Sequence, residues 1–290
     1  MEPTIGILFA FAALICWGFG DFLIQRSTRR FGDWETLFLI TAFGAIILTP
    51  FVIKDLVNIL TGTSILWLLL FIALSLHVAA LFEFEALKRG KLAVTEPVMA
   101  IEVPVSAILA FIILKESVTL LQALVIALLL VGLILVSLRS RHFSKKAWLE
   151  KGVFIMVIGS IFMGASNFLV GLGSRVTNPL LTNWFINVVA AVICLGYMLR
   201  KNRLRKLLRD VKENPRLILA VSAFDNLAWI AFAFAMTLIP IAIAVAISES
   251  YIALAALLGL VINREKLLTR QKIGLVVSLA SAVILAAITG

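Results

Sequence analysis

The sequence predicts an all-α integral membrane protein, with ten transmembrane helices arranged as two inverted five-helix repeats. Three observations carry that expectation. Hydrophobic residues make up 62% of the 290 and charged residues only 14%, with a mean hydropathy of +1.10, whereas ordinary globular domains are about 45–50% apolar. Ten apolar stretches, each near the roughly 20 residues that a bilayer-spanning helix needs, take up nearly the whole chain and leave no room for a soluble domain. Finally, segments of one half recur in the other at nearly constant spacing.

The stretches are 5–24, 34–53, 66–87, 92–114, 120–138, 149–172, 180–199, 217–238, 241–262 and 268–288. The first is expected to be mature structure rather than a secretory signal, because Met1-Glu2-Pro3 lacks a basic region and no small-residue cleavage site stands out. Only Lys88, Arg89, Gly90 and Lys91 part the third from the fourth, and three charges in four residues suit an interfacial turn. In the fourth, Pro97 and Pro104 each remove a backbone hydrogen bond and kink the helix, leaving carbonyls that other groups must satisfy. The ninth has small residues instead, Ala242, Ala246, Ala253, Ala256 and Gly259, which let helices approach closely. The fifth and tenth are apolar enough to face lipid or a second copy, which leaves a homodimer open. Cys16 and Cys194 both lie inside apolar runs and read as small buried hydrophobes.

A net charge of +10 would suggest nucleic acid in a soluble protein. Here the placement of the basic residues matters more, and no nucleic-acid partner is expected. The loops after the first, third, fifth, seventh and ninth segments, taken with the first five residues of the segment that follows, hold 3, 3, 5, 8 and 4 Lys and Arg, 23 in all, against Lys54, Lys115 and Arg175 on the other face. Basic loops stay cytoplasmic. The protein is therefore expected in the cytoplasmic (inner) membrane with both termini outside. The stretch from Arg200 to Arg216, with Arg203, Arg205, Lys206 and Arg209, then forms a cytoplasmic loop.

Comparing the halves, 1–143 and 144–290, gives two local matches. Trp17-Gly18-Phe19-Gly20-Asp21-Phe22-Leu23 aligns with Met163-Gly164-Ala165-Ser166-Asn167-Phe168-Leu169, an offset of 146 residues. Lys115-Glu116 with Gln122 aligns with Arg264-Glu265 and Gln271, an offset of 149. Five helices is an odd number, so a second copy enters the membrane from the opposite side. Repeats inverted in this way recur in secondary transporters, where two similar halves rock around a midplane site.

At these residues the chain resembles the EamA-like branch of the drug/metabolite transporter superfamily over essentially its whole length. The resemblance rests on Trp17-Gly18, on Ala86-Leu87-Lys88-Arg89-Gly90, on Pro104 followed by Glu116, and on Glu265 with Gln271-Lys272-Ile273-Gly274. Val125 departs from it, standing where a glycine would match Gly274. So does Ile252, which follows Tyr251 where a proline is common and implies a less kinked ninth helix. The resemblance implies the fold and a carrier activity. It implies no binding residue.

An ionisable residue inside a spanning helix costs at least about 2.5–3.5 kcal/mol on insertion scales and normally marks a substrate or proton path. Glu102, Glu249, Asp225 and His77 each lie near the middle of a predicted segment, at one depth, in the two pairs of segments that the repeat matches. They are the candidate substrate- or proton-binding residues, with Trp17 and Tyr251. Trp184, Trp229, Phe82 and Phe232 are further candidates for an aromatic wall. Asp21, Glu83, Glu85 and Glu96 are placed nearer the cytoplasmic ends, where a carboxylate reaches water or a loop cation.

Burial raises a carboxylate's affinity for protons and an approaching cation lowers it, so a midplane acid can exchange a proton for a positive substrate. The expected function is thus alternating-access transport of a small polar metabolite, amine- or amino-acid-like, with a proton or another ion coupled to it and no cofactor. Two rivals stand beside it. Gly18-Phe19-Gly20-Asp21 matches the Gly-x-Gly-Asp run of intramembrane aspartyl proteases, with Asp225 as the partner acid. A non-transporting membrane scaffold is the other.

Overall fold

The structure is a computed structural model, and it describes residues 2–61, 63–89, 98–137, 151–254, 257 and 268–290. These residues form helices and no strand: α1 Glu2–Phe31, α2 Asp33–Thr61, α3 Thr63–Arg89, α4 Glu102–Leu114, α5 Leu120–Ser137, α6 Lys151–Val176, α7 Pro179–Arg200, α8 Leu204–Glu213, α9 Pro215–Leu238, α10 Ile241–Ser248 and α11 Thr269–Ala287. Eight of them are long and apolar enough to cross a bilayer. Glu102–Leu114 and Ile241–Leu254 are apolar but shorter. The predicted residues Pro97, Glu96, Ala256, Gly259 and Glu265 lie outside the described residues.

Several helices run past their apolar stretches. Arg26, Arg29 and Arg30 were expected in a loop, but they occupy the last turns of α1, and Gly32 alone joins α1 to α2. Its φ of 113° is open to glycine at little cost, and a side chain there would collide with the Glu35 carboxylate. The stretch from Arg200 to Arg216 is not a simple loop either, because α8 occupies most of it. Ion pairs tie this end together: Lys88 to Asp33 at 3.1 Å and to Glu85 at 3.5 Å, and Arg203 to Glu35 at 2.9 Å.

The most extensive packing surfaces join α1 to α9, α3 to α6, α2 to α7 and α5 to α11. If each helix of the first half is exchanged for its counterpart in the second, this set is unchanged. The α1–α9 pair becomes α6–α3, and the α2–α7 and α5–α11 pairs map onto themselves.

The fourth and ninth segments are both interrupted. A turn at Ala100–Ile101 precedes α4, and a turn at Glu249–Ser250 follows α10. The offset of 149 residues maps the first turn onto the second. Bonds from residue i to i−3 mark both places: Ile101 N to Val98 O at 3.1 Å and Ser250 N to Ile247 O at 3.1 Å. Pro104 falls in the first turn of α4, where its missing N–H leaves no intrahelical bond unmade. The second break has no proline. A less kinked ninth helix was expected for that reason, yet serine chemistry interrupts it: Ser250 Oγ bonds Ala246 O at 3.0 Å and Ser248 Oγ approaches Ala10 O at 3.3 Å. Such hydroxyls compete with the helical ladder for main-chain partners.

Candidate functional site

Both breaks open onto one cavity between the halves, with about 100 Å³ of water-accessible space. One water needs only about 10–15 Å³ on that measure, so the space takes a small ligand or several waters. All six predicted binding residues line it: Glu102, Glu249, Asp225, His77, Trp17 and Tyr251.

The breaks explain how two carboxylates come to sit there. Glu102 is the first residue of α4, and its Oε2 accepts a hydrogen bond from Asn167 Nδ2 of α6 at 3.1 Å. Glu249 caps α10. Both are almost fully buried, and Glu102 Oε1 and Glu249 Oε2 have no hydrogen-bond partner among the described residues. The α4–α6 approach depends on Gly164, since a Cβ there would stand 2.8 Å from Glu102 O. Ser106 Oγ lies between the two chains, 2.8 Å from Glu102 O and 2.7 Å from Gly164 O.

The structure corrects the placement of two acids. Asp21 and Glu83 were assigned to the cytoplasmic ends of their helices, but both line the same cavity, so five carboxylates from five helical elements surround it. Their helices extend about 12 Å and 9 Å beyond them, to Arg29 and Arg89, at 1.5 Å per residue. Glu85 does pair with Lys88, as expected. Among the described lining residues no Lys or Arg appears, and His77 alone can carry a positive charge. Its ring meets Trp34 edge-on at 5.6 Å, and both its nitrogens lack hydrogen-bond partners among the described residues.

The aromatic expectations divide. Trp17 and Trp229 line the cavity in T-shaped contact at 5.3 Å, and Tyr251 lies 6.2 Å from Trp17. Phe232 packs behind Trp17, fully buried. Trp184 is elsewhere, donating to Thr49 Oγ1 at 2.9 Å, and Phe82 stacks on Phe162.

Sequence reading missed four asparagines in the lining: Asn167, Asn183, Asn187 and Asn226. Asn226 Nδ2 donates to Ile40 O at 3.0 Å and Ser222 O at 2.9 Å. That orientation leaves its Oδ1 to accept from Asn187 Nδ2 at 2.9 Å. Asn183 Nδ2 donates to Pro179 O at 2.8 Å. Each of these amides has at least one N–H on a protein acceptor, and the Oδ1 atoms of Asn167, Asn183 and Asn187 have no hydrogen-bond partner among the described residues and remain as acceptors. Asn183 and Asn187 are spaced i, i+4, which puts them on one helix face and was the available signal.

Gly44 of α2 makes room for this amide pair, because a Cβ there would overlap Asn226 Oδ1 and stand 2.8 Å from Asn187 Cγ. Gly44→Ala is expected to weaken binding of a cavity ligand by about tenfold while the protein still folds, as checked by titration calorimetry alongside a melting curve.

The model of the EamA-like transporter family matches residues 4–138 and 150–287. The chain belongs to the EamA-like transporter family. It is accordingly a multi-pass membrane protein of the drug/metabolite transporter type. A solved structure titled "Crystal structure of protein" superposes with a TM-score of 0.72 at 16% identity, over 98% of this chain and 97% of that one, and shares its fold. No curated protein matches the sequence. The EamA-like assignment also bears on the aspartyl-protease rival. Asp21 and Asp225 do face one cavity, but three glutamates share it with them.

Proposed function

We propose that this EamA-like protein is a secondary carrier that moves a small amine- or amino-acid-like metabolite across the cytoplasmic membrane by alternating access, exchanging its positive charge for protons. One observation carries the reading: five carboxylates and no Lys or Arg among the described residues face a single cavity between the halves. Carboxylates gathered away from water do not all keep their charge unless a cation stands beside them, and either a proton or a positive ligand can fill that place. Glu102 and Glu249, with Asp225, bind the ligand or the proton. Trp17 and Tyr251 form its apolar wall, and His77 lines the same cavity.

The halves are taken as 1–143 and 144–290, inserted in opposite senses with ten crossings and both termini outside. Support comes from a packing pattern that survives exchange of the halves and from matched breaks at Ala100–Ile101 and Glu249–Ser250. Pro104 and the Ser248-Glu249-Ser250 turn then act as hinges, since interrupted helices at a midplane site are what rocking carriers use.

The test is counterflow in proteoliposomes over a range of pH. The wild type is expected to transport with a marked pH dependence, and Glu102→Gln and Glu249→Gln each to lose at least tenfold in rate and to flatten that dependence. Unchanged transport and pH dependence in both variants would rule the reading out.

A further inference from the structure

The acids do more than attract a cation. They reach the cavity from five helical elements: Asp21 on α1, Glu83 on α3, Glu102 on α4, Asp225 on α9 and Glu249 at the end of α10. In a space of about 100 Å³ no corner is remote from all of them. The asparagines add acceptors, because the Oδ1 atoms of Asn167, Asn183 and Asn187 have no partner among the described residues, while each amide already has an N–H on a protein acceptor.

An α-amino acid entering here brings a carboxylate as well as an ammonium group. Its carboxylate would find neutral donors at best, such as the Trp17 and Trp229 indoles, and His77 as the one side chain able to hold positive charge against five acids. Like charges in a poorly hydrated site repel strongly, and discrimination against a near relative is commonly built from such repulsion. An amine without the acid group meets acceptors for its charge instead. Its N–H groups face carboxylates and Asn oxygens, and its carbon skeleton faces the Trp17–Trp229–Tyr251 wall, where a cation also gains from the ring faces.

We infer that the ligand of this site is an organic amine that carries no carboxylate, and that the cavity rejects the parent amino acids by charge. This rests on the carrier reading above and narrows its substrate class.

The experiment compares matched pairs on the purified full-length protein by calorimetry and thermal shift: tyramine with tyrosine, agmatine with arginine, cadaverine with lysine. Tyrosine methyl ester is included because it keeps the bulk and loses the charge. At least one amine is expected to bind tenfold or more tighter than its parent amino acid, and the methyl ester to bind more like tyramine than like tyrosine. Asp225→Asn is expected to narrow the amine-to-amino-acid ratio. Should an amino acid bind as tightly as its amine or tighter, this inference is overturned and the carrier reading stands. Should neither series bind, both fall together.

Discussion

Gly274→Leu is expected to prevent α11 from docking and to leave little folded protein. Gly274 and Gly132 face each other where α11 crosses α5. A Cβ on Gly274 would stand 2.6 Å from Val136 N and 2.7 Å from Gly132 O, and one on Gly132 would stand 2.6 Å from Ser278 N. These are main-chain atoms, so no rotamer change relieves the overlap and the helices themselves must separate. Separation would also break the bond from Gln271 Nε2 to Val136 O at 2.9 Å, stranding a buried amide. Overpacking of side chains costs about 1–3 kcal/mol, and a backbone collision exceeds that range. The melting temperature in detergent is expected to fall by on the order of 10 °C or more, if a monodisperse peak survives at all. Gly196→Leu is the control, because nothing lies within 4 Å of a Cβ at Gly196. Equal melting temperatures for the two variants would contradict the close crossing.

That crossing shows why part of the molecule was legible. Gln271 and Gly274 belong to a motif visible in the chain, and small residues at a helix interface follow from lipid giving apolar side chains no reason to leave it. The repeat match of Gly274 is not its contact partner, however. Val125 stands where a glycine was sought, while the glycine that meets Gly274 is Gly132, two turns farther along α5. Contact between helices depends on where their axes cross, and alignment of the halves does not supply that point.

The cavity divides in a similar way. Charged residues are conspicuous against an apolar background, so Glu102, Glu249 and Asp225 could be found by depth along their segments. The repeat also aligned Trp17 with Met163 and Asp21 with Asn167, and all four residues line the cavity. Asp21 was nonetheless assigned to the helix end, since hydropathy places the water boundary where the apolar run stops. In the structure α1 continues as a helix through Arg26, Arg29 and Arg30. The break at Glu249–Ser250 was hidden because neither proline nor glycine marks it, and the paired serines that make it look unremarkable in a list of polar residues.

Glu116→Ala is expected to slow counterflow by at least tenfold while leaving ligand affinity at the cavity nearly unchanged. Lys115, in a left-handed conformation with φ of 55°, ends α4 and turns Glu116 toward Arg175 at the end of the molecule opposite the basic loops. Glu116 pairs with Arg175 through Oε1, and its Oε2 accepts from Ile241 N, at the start of α10, at 2.8 Å. Arg175 also donates to Met236 O at 2.7 Å and Ile239 O at 3.1 Å, where α9 ends. One carboxylate and one guanidinium thus hold the ends of α4, α6, α9 and α10 together. The pair is only partly exposed, with side-chain accessibilities of 29% for Arg175 and 13% for Glu116, and hydrogen bonds to charged groups contribute about 1.5–3 kcal/mol each. Under the proposed alternating-access reading such a closure is made and broken in every cycle, so removing it disfavours the closed state without touching the acids inside. The free Arg175 keeps its carbonyl partners, which limits the loss of stability. Arg175→Ala removes those bonds as well and is expected to melt lower than Glu116→Ala. Normal counterflow in Glu116→Ala, measured at saturating ligand, would show that this ion pair plays no part in closure.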